Sequence, residues 1–173
     1  MATAKQIVCI QYNSSPCGEL ILGSLNNTLC LCDWRNMPCA NRNKQRLVRL
    51  LNAEFAEELT PVLEKAKLQL NQYFAGRRRV FDVPLLLVGT DFQQRVWNAL
   101  QHIPYGQTLS YKEVAQSIGN AQGIRAVAQA IGANGISIFI PCHRVIGSNH
   151  SLTGFAGGLD AKEKLLKIEG SEM

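Results

Sequence analysis

The residues best suited to chemistry in this chain lie in one run, Pro141-Cys142-His143-Arg144-Val145. It follows an apolar stretch, Ile136-Ser137-Ile138-Phe139-Ile140, that reads as a buried strand. Pro141 ends that strand, because it has no N–H for a sheet ladder. A cysteine held there with a histidine beside it is placed for nucleophilic attack. The thiolate is the reactive form, and an unperturbed thiol of pKa ~8.5 is only a few per cent ionised at neutral pH, so a nearby base must take its proton. His143 is the adjacent candidate. The competing reading is a cysteine that only fills core space.

The elements before this run would have to position it. Thr90-Asp91-Phe92-Gln93 is a capping box that opens a helix, with Phe92, Val96, Ala99 and Leu100 on one face. After the turn Ile103-Pro104-Tyr105-Gly106, a second capping box, Ser110-Tyr111-Lys112-Glu113, starts a helix that stops at Gly119. A third helix is expected near Ala121 to Ile131. Two short helices joined by a glycine-containing turn have the dimensions of a helix-turn-helix or of an ordinary helical hairpin. In the third helix, Gly123, Ala126, Ala128 and Ala130 leave Arg125 as the one charged side chain. Such a helix either brings a single long cation to a nucleic-acid groove or packs internally with Arg125 snorkelling out.

The first half is built differently. Residues 5–34 read as three short strands in an antiparallel meander, with turns at Ser14-Ser15-Pro16-Cys17-Gly18 and Asn26-Asn27. Asn41 to Glu58 carries leucines and alanines at helical spacing. Thr60-Pro61 opens another helix that runs to Phe74 before Gly76. Arg77-Arg78-Arg79 and Phe81 to Val88 bridge to the second half, the arginines reading as a solvated connection or a phosphate contact.

The 173 residues fit one domain or two small ones, 46% apolar and 18% charged, with a formal net charge of +5. That surplus points to a polyanionic partner, nucleic acid first. Met1 to Tyr12 is too short and polar for a signal peptide, and no apolar run approaches the ~20 residues of a membrane span. The expected location is cytoplasmic, with no membrane partner and with the six cysteines reduced. Cys30 and Cys32 would share one side of a strand, but no paired CxxC spacing exists and all three histidines lie in the second half. The cysteines therefore read as small core residues rather than a metal site, and no metal is assigned.

Taken together, these motifs closely resemble the O6-alkylguanine-DNA alkyltransferases, the methylated-DNA–protein-cysteine methyltransferases. The resemblance runs through Gly89-Thr90-Asp91-Phe92-Gln93, Val96-Trp97, Ile103-Pro104-Tyr105-Gly106, Ser110-Tyr111, Arg125-Ala126-Val127 and Asn134. It continues through Ile140 to Ile146, Gly157-Gly158-Leu159, Lys162-Glu163 and Glu169-Gly170. In the first half only the Ser15-Pro16-Cys17-Gly18 turn and Tyr73-Phe74-Ala75-Gly76 fit. The resemblance implies an α+β chain: an N-terminal ribonuclease-H-like antiparallel sheet-and-helix domain, residues 1–84, then a winged-helix-like (helix-turn-helix) DNA-binding domain, residues 85–173.

The implied function is direct-reversal DNA repair by a monomer. The protein would flip O6-alkylguanine, with O4-alkylthymine as a further lesion, from double-stranded DNA. It would then transfer the alkyl group irreversibly to Cys142, once per molecule and without a cofactor. By the same resemblance, a relay passes the thiol proton through water to His143 and Glu169, and Asn134 holds the reactive turn. Tyr111 contacts the flipped nucleotide's phosphate and helps expel the base. Arg125 fills the vacated stack, and Lys112, Asn120 and Ser148 touch the DNA backbone. The base pocket is assigned to Val145, Phe155, Ala156 and Ile131.

Phe155 stands where the family usually has tyrosine, Ala156 where relatives carry serine, and Gly135 where proline is usual. Loss of a ring hydroxyl removes a hydrogen bond worth ~1.5–3 kcal/mol if charge-assisted, so slower transfer is expected. Two other classes are open to the same motifs. A non-catalytic alkyl-lesion-binding protein would keep Arg125 and the helix pair but not need Cys142. A cysteine hydrolase would leave Arg125 without a purpose.

Overall fold

The computed structural model describes residues 4–171. The first half begins with the expected meander, β1 (Gln6–Ser15), β2 (Gly18–Leu25) and β3 (Thr28–Trp34). Asn26 and Asn27 both take positive φ, 49° and 65°, as a two-residue hairpin turn requires. The helix expected over Asn41 to Glu58 is instead α1 (Pro38–Leu51) followed by β4 (Ala53–Glu57). Pro38 sets the first turn of α1, and Asn52 ends it in the left-handed conformation, φ 51° and ψ 48°. β4 then lies parallel to β1, giving the sheet order β3-β2-β1-β4. Thr60 caps α2 (Pro61–Phe74) through a bond from the Leu63 N–H.

Two apolar clusters form on this sheet. Val8, Ile10, Ile21, Leu31, Leu47 and their neighbours make one, together with α1. Leu20, Leu22, Cys32, Trp34 and α2 belong to a larger cluster that continues into the second half through Val96, Trp97, Ile140 and Val145. Cys30 and Cys32 belong to different clusters, not to one side of the strand. The β2–β3 register shifts at Gly23/Ser24, leaving Cys30 as the extra residue of a bulge.

The second half consists of α3 (Asp91–Leu100), β5 (Leu109–Ser110), α4 (Tyr111–Ser117), α5 (Ile124–Gly132), a 3₁₀ turn at Cys142–Arg144, β6 (Val145–Ile146) and α6 (Leu159–Ile168). Both capping boxes form as expected, at Thr90/Gln93 and Ser110/Glu113. The third helix begins at Ile124, later than Ala121. Its inner face is Val127, Ala130 and Ile131, while Arg125 and Ala126 face solvent, so it is not an internal helix.

Residues 136–140 are not a strand. They make a tight turn with Ile138 at φ 75°, closed by a bridge between Ser137 and Ile140 and tied to β3 by a bridge from Ile136 to Cys32. Their apolar character comes from where the turn sits, between the two halves of the larger cluster. The Cys32 N–H donates to Gly135 O at 2.9 Å, and the Ser137 N–H donates to Cys32 O at 2.8 Å. The connecting segment docks on the same strand, with Leu29 N–H to Pro84 O at 2.8 Å. The edge of β3 is thereby covered. A second tie runs from α1: Arg42 donates to Gly132 O at 3.0 Å and Arg46 to Ala133 O at 2.7 Å, placing two cations at the C-terminal end of α5.

Candidate active site

Cys142 opens a 3₁₀ turn, and Asn134 holds the backbone around it. The Asn134 amide donates to Ile140 O at 3.0 Å and its oxygen accepts from the Ile136 N–H at 3.0 Å. β6 pairs with β5 immediately after the turn, Leu109 with Val145 and Ser110 with Ile146. The reactive turn and the cap of α4 are therefore fixed to each other.

Glu169, just past α6, is 5% exposed and collects a dense set of donors. His143 Nε2 lies 2.7 Å from its Oε1, and the Tyr73 hydroxyl donates to the same oxygen at 2.8 Å. Arg144 grips both carboxylate oxygens, at 2.9 Å each, and also donates to Ile103 O. Burial alone would raise the Glu169 pKa, but the bonds from His143 and Arg144 outweigh it and hold the carboxyl at about 2. An ionised carboxylate only accepts hydrogen bonds, so the proton on His143 belongs on Nε2. Nδ1 is then the basic nitrogen, and it is buried with no partner. Burial pushes the histidine pKa down, against the pull of Glu169, so the ring is neutral and able to accept a proton. Burial likewise pushes the Cys142 thiol up. The Asn134 amide, the Lys162 charge and the Ser137 hydroxyl oppose that rise, and Asp33 adds to it.

The sulfur faces a cavity of about 290 Å³. Tyr111, Ile131, Phe155 and Ala156 line it with Cys142 and Asn134. Val145 does not line it: the residue is wholly buried and its carbonyl accepts from Lys162 Nζ at 2.6 Å. Lys162 also donates to Thr153 O at 2.8 Å, tying down the loop that carries Phe155, and burial lowers its pKa to about 8. The first half closes this loop from outside. Trp34 meets the Phe155 ring edge-on at 5.1 Å, and Cys39 Sγ lies 3.5 Å from Ala156 O. Gly157 passes so close to Trp34 that a Cβ there would fall 2.6 Å from ring atoms.

The remaining positions lie on the surface around the pocket. Arg125 is exposed in the first turn of α5, and Tyr111 Oη lies 3.3 Å from Thr153 Oγ1 at the rim. Lys112 and Ser148 share a separate cavity of about 420 Å³ beside the start of α4. Asn120 packs against Gly123 in the turn between α4 and α5 and accepts its N–H at 2.9 Å. The sequence gives no role to Arg42, which lines the cavity at Cys142, nor to Trp34 or Ser137. Tyr73, Arg144 and Lys162 stand in recognisable motifs, but nothing in their spacing reveals that they meet Glu169 or the loop. Among the described residues no cluster of histidine, cysteine or carboxylates is arranged to hold a metal ion.

Comparison with known proteins is consistent across the chain. Residues 8–87 match the family model of the 6-O-methylguanine DNA methyltransferase ribonuclease-like domain, and residues 91–171 match that of the DNA binding domain. The methylated-DNA–protein-cysteine methyltransferase of Methanosarcina acetivorans is 54% identical over 120 residues, 69% of this chain and 72% of that protein. Its counterpart from Methanosarcina barkeri is 44% identical over 159 residues, 92% and 95% of the two chains. The crystal structure of Mycobacterium tuberculosis O6-methylguanine methyltransferase superposes with a TM-score of 0.81 at 40% identity, covering 94% of this chain and 93% of that one. Mycobacterium tuberculosis OGT in complex with DNA gives 0.79 at 40% identity, covering 95% and 92%.

Proposed function

The chain belongs to the methylated-DNA–protein-cysteine methyltransferase family, and we propose that Cys142 is its alkyl acceptor. The activity is direct-reversal DNA repair, in which an alkyl group leaves a damaged base for a protein cysteine and the protein is consumed. The fold is the two-domain one of this family, and the partner is DNA. We place the division at residues 84/85, with the reaction carried by the second domain.

In our reading the substrate is O6-alkylguanine in duplex DNA, with O4-alkylthymine as a second lesion, everted into the 290 Å³ cavity. His143 Nδ1 receives the Cys142 proton through a water molecule, and Glu169, fixed by Tyr73 and Arg144, stabilises the imidazolium that results. The sulfur attacks the alkyl carbon. A sulfur–carbon bond forms as the carbon–O6 bond breaks, its electron pair returns to the purine, and the base takes up a proton as its carbonyl re-forms. A thioether does not hydrolyse under mild conditions, so each molecule acts once, as a monomer and without a cofactor. Tyr111 meets the phosphate of the flipped nucleotide. Arg125 enters the vacated stack from the minor groove, where contacts carry little sequence information. Lys112, Asn120 and Ser148 hold the strand backbone.

The observation that carries this reading is the ordered set beside the cavity. A carboxylate held ionised fixes the tautomer of a buried histidine whose other ring nitrogen is unpaired, and that histidine follows directly in sequence the one cysteine that lines the pocket. The test is incubation with a duplex containing O6-methylguanine, followed by mapping of added mass on tryptic peptides. One methyl group on Cys142, without turnover, is expected. Erasure of the lesion by the Cys142→Ser protein would overturn the assignment.

A further inference from the structure

Ser137 is the buried polar residue at this site that the mechanism leaves unused. It is 0% exposed, and its hydroxyl makes no hydrogen bond of good geometry. A desolvated hydroxyl without a partner is unfavourable, and such groups in native structures call for a physical reason. Its backbone is fully engaged: the N–H donates to Cys32 O at 2.8 Å, and the residue bridges Ile140, two positions before Cys142. The bridge to Ile140 sets Ser137 in the turn that leads into Cys142, and its hydroxyl, like the Asn134 amide, favours the ionised form of the Cys142 sulfur.

We propose that Ser137 is a further catalytic residue, a hydrogen-bond donor reserved for the sulfur anion of Cys142. A neutral thiol is a weak acceptor, whereas a thiolate takes charge-assisted bonds. The hydroxyl is therefore unpaired in the resting protein and paired once the proton has left for His143. The other groups facing the sulfur are already committed or oppose ionisation. Asn134 shares its amide with Ile140 O, and Lys162 from α6 is bonded to Val145 O and Thr153 O. From β3, Asp33 disfavours a second negative charge, and the deeply buried Cys32 stays a thiol. His143 itself lies in the same turn and takes the proton.

The inference rests on Cys142 as the acceptor and deepens that assignment. Its test compares wild type, Ser137→Ala and Ser137→Thr by iodoacetamide labelling of Cys142, read by peptide mass spectrometry across the thiol titration. The Ala variant is expected to shift the labelling midpoint upward by about half a unit or more. That is roughly a threefold or greater loss at neutral pH, vanishing in alkaline solution. The Thr variant, which keeps the hydroxyl, should restore the wild-type midpoint. Because Ser137→Ala removes an unpaired buried hydroxyl, its urea midpoint should not fall. An unchanged labelling midpoint in Ser137→Ala, or an equal loss at every pH, would overturn the proposal. Iodoacetamide labelling needs no lesion. If Cys142 labels normally yet takes no methyl group from damaged DNA, the acceptor assignment fails and the Ser137 result stands.

Discussion

Replacing Glu169 by glutamine tests the relay at its most heavily bonded point. The substitution keeps size and removes charge. In the folded protein the carboxyl sits at about 2 instead of its ordinary 4.5. A depression of that size corresponds to roughly 3 kcal/mol of stability. Because the folded value lies below the unfolded one, this contribution is complete above pH 4.5 and is lost as pH falls through about 2. The amide also leaves the Arg144 guanidinium buried without its anion, and removing one partner of a buried pair costs ~3–5 kcal/mol. A glutamine NH₂ facing His143 would donate to Nε2 and move the ring proton to Nδ1, abolishing the base. General-base catalysis contributes about 10²–10⁴-fold, so transfer at neutral pH should fall by at least two orders of magnitude. Urea unfolding between pH 2 and neutrality, together with single-turnover transfer from an O6-methylguanine duplex, measures both effects. The reasoning is refuted if Glu169→Gln reacts at close to the wild-type rate or keeps the wild-type loss of stability in acid.

Arg125→Ala should slow repair of duplex DNA by about tenfold or more, since a vacated stack costs a few kcal/mol, while reaction with free O6-benzylguanine stays near wild type. Equal losses on both substrates would remove Arg125 from the groove. Gly157→Ala puts a Cβ 2.6 Å from the Trp34 ring and should cost ~1–3 kcal/mol in urea unfolding, with slower transfer because the Phe155 loop must shift.

Local signals made much of the fold legible. Both capping boxes, the Asn26-Asn27 hairpin and the Thr60-Pro61 helix start lie where the residues themselves dictate them. Structure departs from pattern where tertiary context outweighs it. Ala53 and Ala56 continue the helical spacing past Leu51, yet Asn52 takes a left-handed cap and the open edge of β1 captures Ala53–Glu57 as a strand. Ile136–Ile140 is apolar because it fills the space between the two halves, and burial alone does not distinguish such a turn from a strand. At the site, Cys142, His143 and Asn134 follow from adjacency and motif. Tyr73 reaches Glu169 from 96 residues away, and Arg42 comes to the pocket from a helix in the other half. Neither leaves a local trace, because contact across a domain interface carries no periodicity.

The two guanidinium groups of α1 that grip Gly132 O and Ala133 O make the sheet an anvil for α5, the helix proposed to meet the duplex. On the proposed reading, load on α5 as a base is everted is shared through those carbonyls with α1 and with β3 and β4, on which α1 packs. The first half would thus brace the reaction as well as line its cavity through Arg42.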